Sequence, residues 1–182
     1  MADEKEKKEV ELPPIPRVVG LFTEIEEAKA EEIIYALRLF QAESEEEIEF
    51  IVSSPGGVAT DMFAIYDFMR LTRESCPITT IGMGKVMSAA VLLLAAGSKG
   101  KRKVGKNCRI MIHSIIANSA GAINDLKNEM KEINSIQDLY IDALCEETNF
   151  TRSKLKYLFS KNVNIYLSAE EAVKYGIADI IV

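Results

Sequence analysis

Two side chains in this sequence could together perform nucleophilic catalysis. Ser88 lies in the segment 84–90, where a strand is predicted to end and an Ala/Leu-rich helix to begin. Unpaired backbone amides at a helix N-terminus can stabilise a developing oxyanion. The single histidine, His113, ends the predicted strand 109–113 and is a candidate general base. The alternatives are N-capping by Ser88 and a structural role for His113.

A glycine pair, Gly56 and Gly57, follows the second predicted strand. Glycine adopts backbone angles that let its N–H approach a ligand closely, so this turn is a candidate binding loop. A generic strand-to-helix turn explains the pair equally well.

The three cysteines, Cys76, Cys108 and Cys145, have no C-x-x-C spacing and only one histidine to help them bind a metal. An odd set of distant cysteines favours a reducing cytoplasm and predicts no metal site. A catalytic thiol is the alternative, although cysteine commonly packs as a small hydrophobic residue.

Composition and charge exclude several function classes. The 182 residues include 22 Lys plus Arg and 28 Asp plus Glu, which gives a net charge of −6 and disfavours nucleic-acid binding. The longest apolar run, 89–96, is far shorter than the roughly 20 residues that span a bilayer. The acidic N-terminus has no apolar leader segment, so we expect no membrane association and no export.

From Arg17 onward, short β-branched runs alternate with helical periodicities, which predicts an α/β fold with a largely parallel sheet. Strands are expected at 17–22, 48–53, 77–83, 102–104, 109–113 and 177–182. Helices are expected after capping boxes at Thr23 and Ser168, around 62–69, in the buried run that ends at Gly97, at Ile123–Glu147 and after Thr151.

Residues 1–16 are rich in charge and proline, and we interpret them as a flexible arm that precedes a single domain at 17–182. The alternatives for the arm are a docking segment and a solvated tail without a role.

Five blocks occur in order: Ser-Pro-Gly-Gly-Val at 54–58, then 84–97, 100–102, 107–113 and 167–178. In that order they resemble the ClpP family, the proteolytic subunits of the Clp protease. The resemblance implies a ClpP/crotonase-like fold of stacked βαβ units with a protruding handle helix at about 114–147. It also implies self-assembly into two face-to-face seven-membered rings around a chamber.

The same resemblance implies roles for individual residues. Ser88 would be the nucleophile, His113 the base, and the amides of Gly57 and Ala89 the oxyanion hole. The family's third catalytic residue is an aspartate, and the matching position holds Asn164. Asparagine can orient an imidazole but cannot stabilise its positive charge, so a Ser-His-Asn site is expected to be slow unless assembly positions it.

Three further departures separate this chain from the family pattern. Ala89 and Ala90 stand where Met-Gly is common, which changes the wall of the S1 pocket. Lys85 stands where glutamine is common, and a Ser88–Lys85 dyad is an alternative to the histidine base. The acidic arm replaces the family's apolar axial loop, which bears on docking to an unfoldase.

The function implied is an ATP-independent serine endopeptidase subunit that cleaves unfolded polypeptides through an acyl-enzyme, without a metal or organic cofactor. A separate AAA+ unfoldase would supply the substrate. One alternative is a weakly active or inactive ring subunit that assembles with active ClpP homologues and modulates them. Another is a crotonase-type acyl-thioester enzyme, which would share the fold and the oxyanion amides but would not require the Ser/His pair.

Overall fold

Short apolar runs form the strands, and segments with 3.6-residue periodicity form the helices. The computed structural model describes residues 16–182. Its strands are β1 (Val18–Leu21), β2 (Ile48–Ser54), β3 (Ile78–Met87), β4 (Lys103–Val104), β5 (Arg109–Ile112), β6 (Ile165–Leu167) and β7 (Ile180–Ile181). Its helices are α1 (Glu27–Glu43), α2 (Ala59–Thr72), α3 (Ala90–Ala95), α4 (Ile123–Glu147), α5 (Arg152–Phe159) and α6 (Ala169–Lys174).

The sheet is mostly parallel, as the alternation of strands and helices predicts. Its main path runs β1-β2-β3-β4-β7 with parallel pairing throughout. Strand β5 also pairs in parallel with β3, and β6 pairs antiparallel with β5. The predicted α/β class is therefore confirmed.

The core lies where the helices cover this sheet. Every residue of α3 is buried, as expected for a helix that is apolar on all faces. The predicted inward face of α2 is also buried, with Met62, Ile65 and Met69 fully enclosed. These helices hold the ends of β2 and β3 in place, and both strand ends contribute to the site described below.

Strand β3 is longer than the sequence predicts. We expected it to end at Met83, but it bends at Gly84, whose φ is 62°, and continues to Met87. The continuation forms because Lys85–Met87 pair with Arg109–Met111 of β5. This extension carries the chain to Ser88 beside the end of β5.

The predicted capping box at Thr23 is wrong. Helix α1 begins later, at Glu27, and its N-cap Glu26 makes no side-chain capping bond. The reason is tertiary: Ile25 is extended and bridges Gly57, donating to the Gly56 carbonyl at 2.8 Å. The box at Ser168 forms as predicted, with reciprocal bonds to Glu171. Thr151 also caps α5 as the sequence suggests.

The last strand is shorter than the predicted range 177–182. Ile177 and Ala178 are buried in the turn that precedes it. Asp179 then accepts from Arg102, with Nε of Arg102 2.8 Å from Oδ2. Only Ile180–Ile181 pair with β4, because the ion pair fixes the chain just before them.

Helix α4 has two different halves. From Ile123 to Leu139 no residue is fully buried, whereas Tyr140, Ile141 and Leu144 pack into the core. Its C-terminal residue Glu147 is also buried. The helix therefore projects at one end and is anchored at the other, which fits the predicted shape of a handle.

The charged arm predicted at 1–16 lies outside the described residues, apart from Pro16. Within residues 16–182, the structure contains no helix of the length and apolarity that a bilayer crossing requires.

Candidate active site

Ser88 and His113 meet because their strands are parallel neighbours. Ser88 follows the last residue of β3, and His113 follows the last residue of β5. In the register of these strands Met87 lies beside Met111, and the Ser88 N–H donates to the Met111 carbonyl at 2.7 Å. Carboxyl ends of parallel strands share one edge of a sheet, so both side chains project at that edge.

Oγ of Ser88 lies 2.8 Å from Nε2 of His113. Both side chains are half-buried, so a substrate can reach them. A hydroxyl that donates to Nε2 requires the imidazole proton on Nδ1, and this is the tautomer a general base needs. Ser88 has a φ of 55°, a left-handed conformation that is rare for a residue with a side chain.

The glycine turn after β2 packs directly against the Ser88 turn. A Cβ placed on Gly56 would lie 2.6 Å from Cβ of Ser88, and one placed on Gly57 would collide with the Ile25 carbonyl oxygen. Ser54 holds the turn, because its hydroxyl donates to the Thr23 carbonyl at 2.6 Å and accepts from the Gly56 N–H at 3.1 Å. Only glycine permits this approach of the two turns.

The two amides selected from the sequence both border the site. Within residues 16–182, neither the N–H of Gly57 nor that of Ala89 has a hydrogen-bond acceptor. Both residues line a cavity of about 520 Å³ that also contains Ser88 and His113. The remaining lining residues are Glu24, Ile25, Glu26, Val58, Ala59, Met62, Ser114, Ile115, Ile116 and Tyr140. The arrangement offers a hydroxyl, an adjacent base and two unpaired donors, the components of acyl transfer.

Asn164 lies beside His113 without a hydrogen bond to it. In the antiparallel pairing of β5 with β6, Ile112 lies beside Ile165. His113 follows Ile112 and Asn164 precedes Ile165, so both lie at the same end of the ladder, and they line one small cavity of about 310 Å³. Asn164 is exposed, and in the described part of the chain the imidazole's one hydrogen bond is to Ser88. The structure thus places Asn164 at the same small cavity as the imidazole, without a hydrogen bond to Nδ1.

The alternative nucleophile and base lie elsewhere. Lys85 is exposed on β3 and does not line the cavity that contains Ser88. Cys76 and Cys108 are buried in the core, and burial raises the pKa of the Cys108 thiol to about 11. A buried thiol with a raised pKa is a poor nucleophile, because the thiolate is the reactive form.

Tyr140 belongs to the site although sequence reasoning did not select it. Its hydroxyl donates to the Ser88 carbonyl oxygen at 2.9 Å, and its ring lines the cavity. In the sequence it is one apolar position in a charged helix, and helical periodicity marks it only as inward-facing. No local pattern indicates which loop the inward face meets.

The chain is similar to known proteins over almost its whole length. A family profile described as Clp protease matches residues 14–182. The chain is 36% identical over 164 residues to the ATP-dependent Clp protease proteolytic subunit of Deinococcus radiodurans, covering 90% of this chain and 78% of the relative. It is 37% identical over 167 residues to proteolytic subunit 4 of Rhodococcus jostii, covering 91% and 84%.

A third relative, proteolytic subunit 1 of Corynebacterium glutamicum, is 33% identical over 165 residues, covering 90% of this chain and 77% of its own. The resemblance drawn from the five ordered blocks and the ClpP-like fold it implies are both confirmed. With a parallel sheet that brings Ser88 to His113 and a profile match over almost its whole length, the chain belongs to the Clp protease family, as a member of its proteolytic subunits.

Proposed function

We propose that this protein is a serine-type endopeptidase subunit that cleaves unfolded polypeptides to short peptides. The observation that carries the proposal is the 2.8 Å contact between Oγ of Ser88 and Nε2 of His113 at the wall of a 520 Å³ cavity. The unpaired amides of Gly57 and Ala89 stand at the same wall. This combination serves acyl transfer, whereas an acyl-thioester enzyme of the crotonase type has no use for the Ser/His pair.

The reaction proceeds through an acyl-enzyme. His113 takes the proton of Ser88 as Oγ attacks the scissile carbonyl, and the amides of Gly57 and Ala89 donate to the oxyanion. The imidazolium gives its proton to the leaving amine, and the peptide bond breaks. Water then attacks the ester with His113 as base, which releases the new carboxylate and restores Ser88. Neither a metal nor an organic cofactor enters any of these steps.

In this proposal Asn164 is the third member of the site. A movement of the loop before β6 would bring its amide oxygen to Nδ1 of His113, where it would orient the ring without neutralising the charge of the imidazolium. Packing between subunits is the event that moves it. The activity is therefore low in an isolated subunit and higher in the assembled particle.

We assign the assembly to the projecting half of α4. Its exposed apolar side chains include Ile123, Met130 and Leu139. In a free subunit these side chains would remain in contact with water, whereas packing against a second subunit would bury them. We propose that the subunits assemble into two stacked seven-membered rings. An AAA+ Clp unfoldase would deliver the substrate. Rings that also contain ClpP homologues are a variant of this assembly. The buried thiols of Cys76 and Cys108 suit a reducing cytoplasm.

A fluorophosphonate probe tests the proposal. The purified oligomer is incubated with the probe, and the modified residue is identified by peptide mass spectrometry, alongside hydrolysis of a short fluorogenic peptide. We expect labelling at Ser88, loss of label and hydrolysis in Ser88→Ala, and no change in Ser160→Ala, which alters an exposed serine that does not line the cavity of Ser88.

An unlabelled wild-type oligomer would overturn the proposal in favour of the inactive ring subunit. The comparisons lend that alternative no specific support, because the relatives are named as proteolytic subunits.

A further inference from the structure

Tyr140 connects the handle helix to the backbone of the nucleophile. It is the first fully buried residue of α4, with 3% of its surface exposed. Its hydroxyl donates to the Ser88 carbonyl oxygen at 2.9 Å. The bond joins two residues that are 52 positions apart in the chain. The proposed catalytic steps do not use it.

The bond acts on a peptide unit that has a second function. The Ser88 carbonyl and the Ala89 N–H belong to the same planar peptide group, and in a trans peptide they point in opposite directions. Fixing the direction of the carbonyl therefore fixes the direction of the N–H. That N–H is one of the two amides available to an oxyanion.

The peptide needs such a support because Ser88 has a left-handed φ of 55°. The Ser88 carbonyl accepts one other hydrogen bond, from the Val91 N–H at 3.0 Å. Val91 belongs to the same helical turn and moves with it, so that bond cannot set the turn's orientation relative to the rest of the fold. Tyr140 belongs to a different helix and can.

Tyr140 is itself held firmly. Its ring stacks on Phe159, with ring centroids 6.2 Å apart and planes within 7°. Two helical turns further on, the buried Glu147 anchors α4 through its ion pair with Arg73, at 2.6 Å. Burial raises the pKa of the Tyr140 phenol, so the hydroxyl keeps its proton and remains a donor.

We infer that Tyr140 is a positioning residue: by holding the Ser88 carbonyl, it aims the Ala89 N–H at the oxyanion of the acyl-transfer transition state. The inference rests on the proposed peptidase function and assigns to that site a residue outside the Ser-His-Asn set. Because α4 also carries the surface we assign to assembly, Tyr140 is the contact through which a shift of that helix reaches the oxyanion hole.

The test compares two buried tyrosines. Tyr140→Phe keeps the ring and its stacking but removes the bond to Ser88. Tyr66→Phe is the matched control, because it removes a buried hydroxyl that bonds to Glu147 rather than to Ser88, and it leaves the Glu147–Arg73 ion pair in place. For each full-length oligomer the measurements are kcat and KM for a fluorogenic peptide, the inhibition constant of a peptide boronate, and the dissociation constant of an unreactive product peptide.

We expect Tyr140→Phe to lower kcat about tenfold, which is less than the 10²–10³-fold loss on removing a whole oxyanion donor. The tetrahedral adduct of the boronate places an oxygen where the oxyanion of the transition state would lie. Binding of the boronate should therefore weaken by a similar factor. KM and product binding should stay unchanged, because they report ground-state contacts. Tyr66→Phe should lower thermal stability and leave all four quantities unchanged.

Two results would overturn the inference while the peptidase function stands: an active wild type with an unchanged kcat in Tyr140→Phe, or equal losses of kcat in both variants. A wild type that neither hydrolyses peptide nor labels at Ser88 would instead reject the peptidase function, and the role of Tyr140 with it.

Discussion

Oγ of Ser88 lies 2.8 Å from Nε2 of His113, although 25 residues separate them in the chain. The contact exists because β3 continues past Gly84 and pairs with β5, with Met87 in register with Met111. Each side chain then stands one residue beyond a strand end. The pair is therefore held by backbone hydrogen bonds, which fix its geometry more firmly than two loop residues could.

The identity of the base can be tested with two variants. His113→Ala removes the group that contacts Ser88 and should lower kcat/KM at least about 10³-fold. Lys85→Met removes the alternative base and should leave kcat/KM unchanged, because Lys85 is exposed and outside the cavity. Steady-state hydrolysis of a fluorogenic peptide measures both. The opposite ranking of the two variants would identify lysine as the base.

Asn164→Asp tests whether a missing charge limits the rate. A carboxylate at this position would be attracted to the imidazolium and stabilise it, so kcat should rise at least about tenfold. Asn164→Ala should lower kcat, because it removes the orienting group. Asn162→Asp, which adds a charge two residues away, serves as the control. If Asn164→Asp leaves kcat of the purified protein unchanged, the missing carboxylate does not limit the rate.

Gly56→Ala tests the close approach of the two turns. The new Cβ would lie 2.6 Å from Cβ of Ser88, so the serine must move. A displacement near 1 Å of a reacting group costs about 10²-fold in rate, and we expect a loss of that size in kcat/KM.

The control for this change is Gly100→Ala. Gly100 also has a positive φ, 83°, but, apart from its two chain neighbours, no atom of residues 16–182 lies within 4 Å of its added Cβ. It should lose about 1 kcal/mol of unfolding free energy to backbone strain and keep its activity. Equal loss of activity in both variants would mean that strain alone, without the contact to Ser88, accounts for the effect.

The Arg102–Asp179 ion pair makes stability depend on pH in a defined direction. The hydrogen bond from Arg102 holds the pKa of Asp179 below its ordinary value, so the folded state favours the carboxylate. The stabilisation is complete above the unfolded pKa of about 4 and is lost as pH falls through the lower folded value.

Asp179→Asn should therefore lower the free energy of unfolding by about 2 kcal/mol at pH 7, and the difference from wild type should shrink at acid pH. Urea unfolding at a series of pH values measures it. Glu43→Gln removes the exposed end of the Arg17 pair and should cost under about 1 kcal/mol. If the difference in unfolding free energy between wild type and Asp179→Asn stays constant with pH, the Arg102–Asp179 pair is not the source of the pH dependence.

Met130→Glu tests assembly through α4. Met130 lies on the projecting half of the helix with 58% of its surface exposed, so a charge there costs a free subunit little. Buried against a partner subunit, the same charge would be unpaired. The assembly should therefore dissociate, and native mass spectrometry should show a lower particle mass. Met130→Leu should assemble like the wild type. An unchanged mass for Met130→Glu would remove this surface from the interface.

Local patterns were sufficient where neighbours in sequence decide the structure. Helix α4 spans Ile123–Glu147 as the periodicity predicts, and Ser168 caps α6 with the reciprocal bonds of its motif. They failed where a distant segment competes. Thr23 does not cap α1, because Ile25 pairs with Gly57, and β3 does not end at Met83, because β5 supplies a partner.

The order and type of residues alone determined the α/β class, the candidates Ser88 and His113, and the family resemblance, which in turn implied Gly57 and Ala89. The class and the two candidates follow from short-range patterns: the alternation of apolar runs and the residues that follow a strand. Only the tertiary structure decided that Tyr140 reaches the Ser88 carbonyl and that Asn164 makes no hydrogen bond to His113. Both depend on how helices and loops pack across the sheet, and no local sequence rule specifies an ångström-scale distance between such elements.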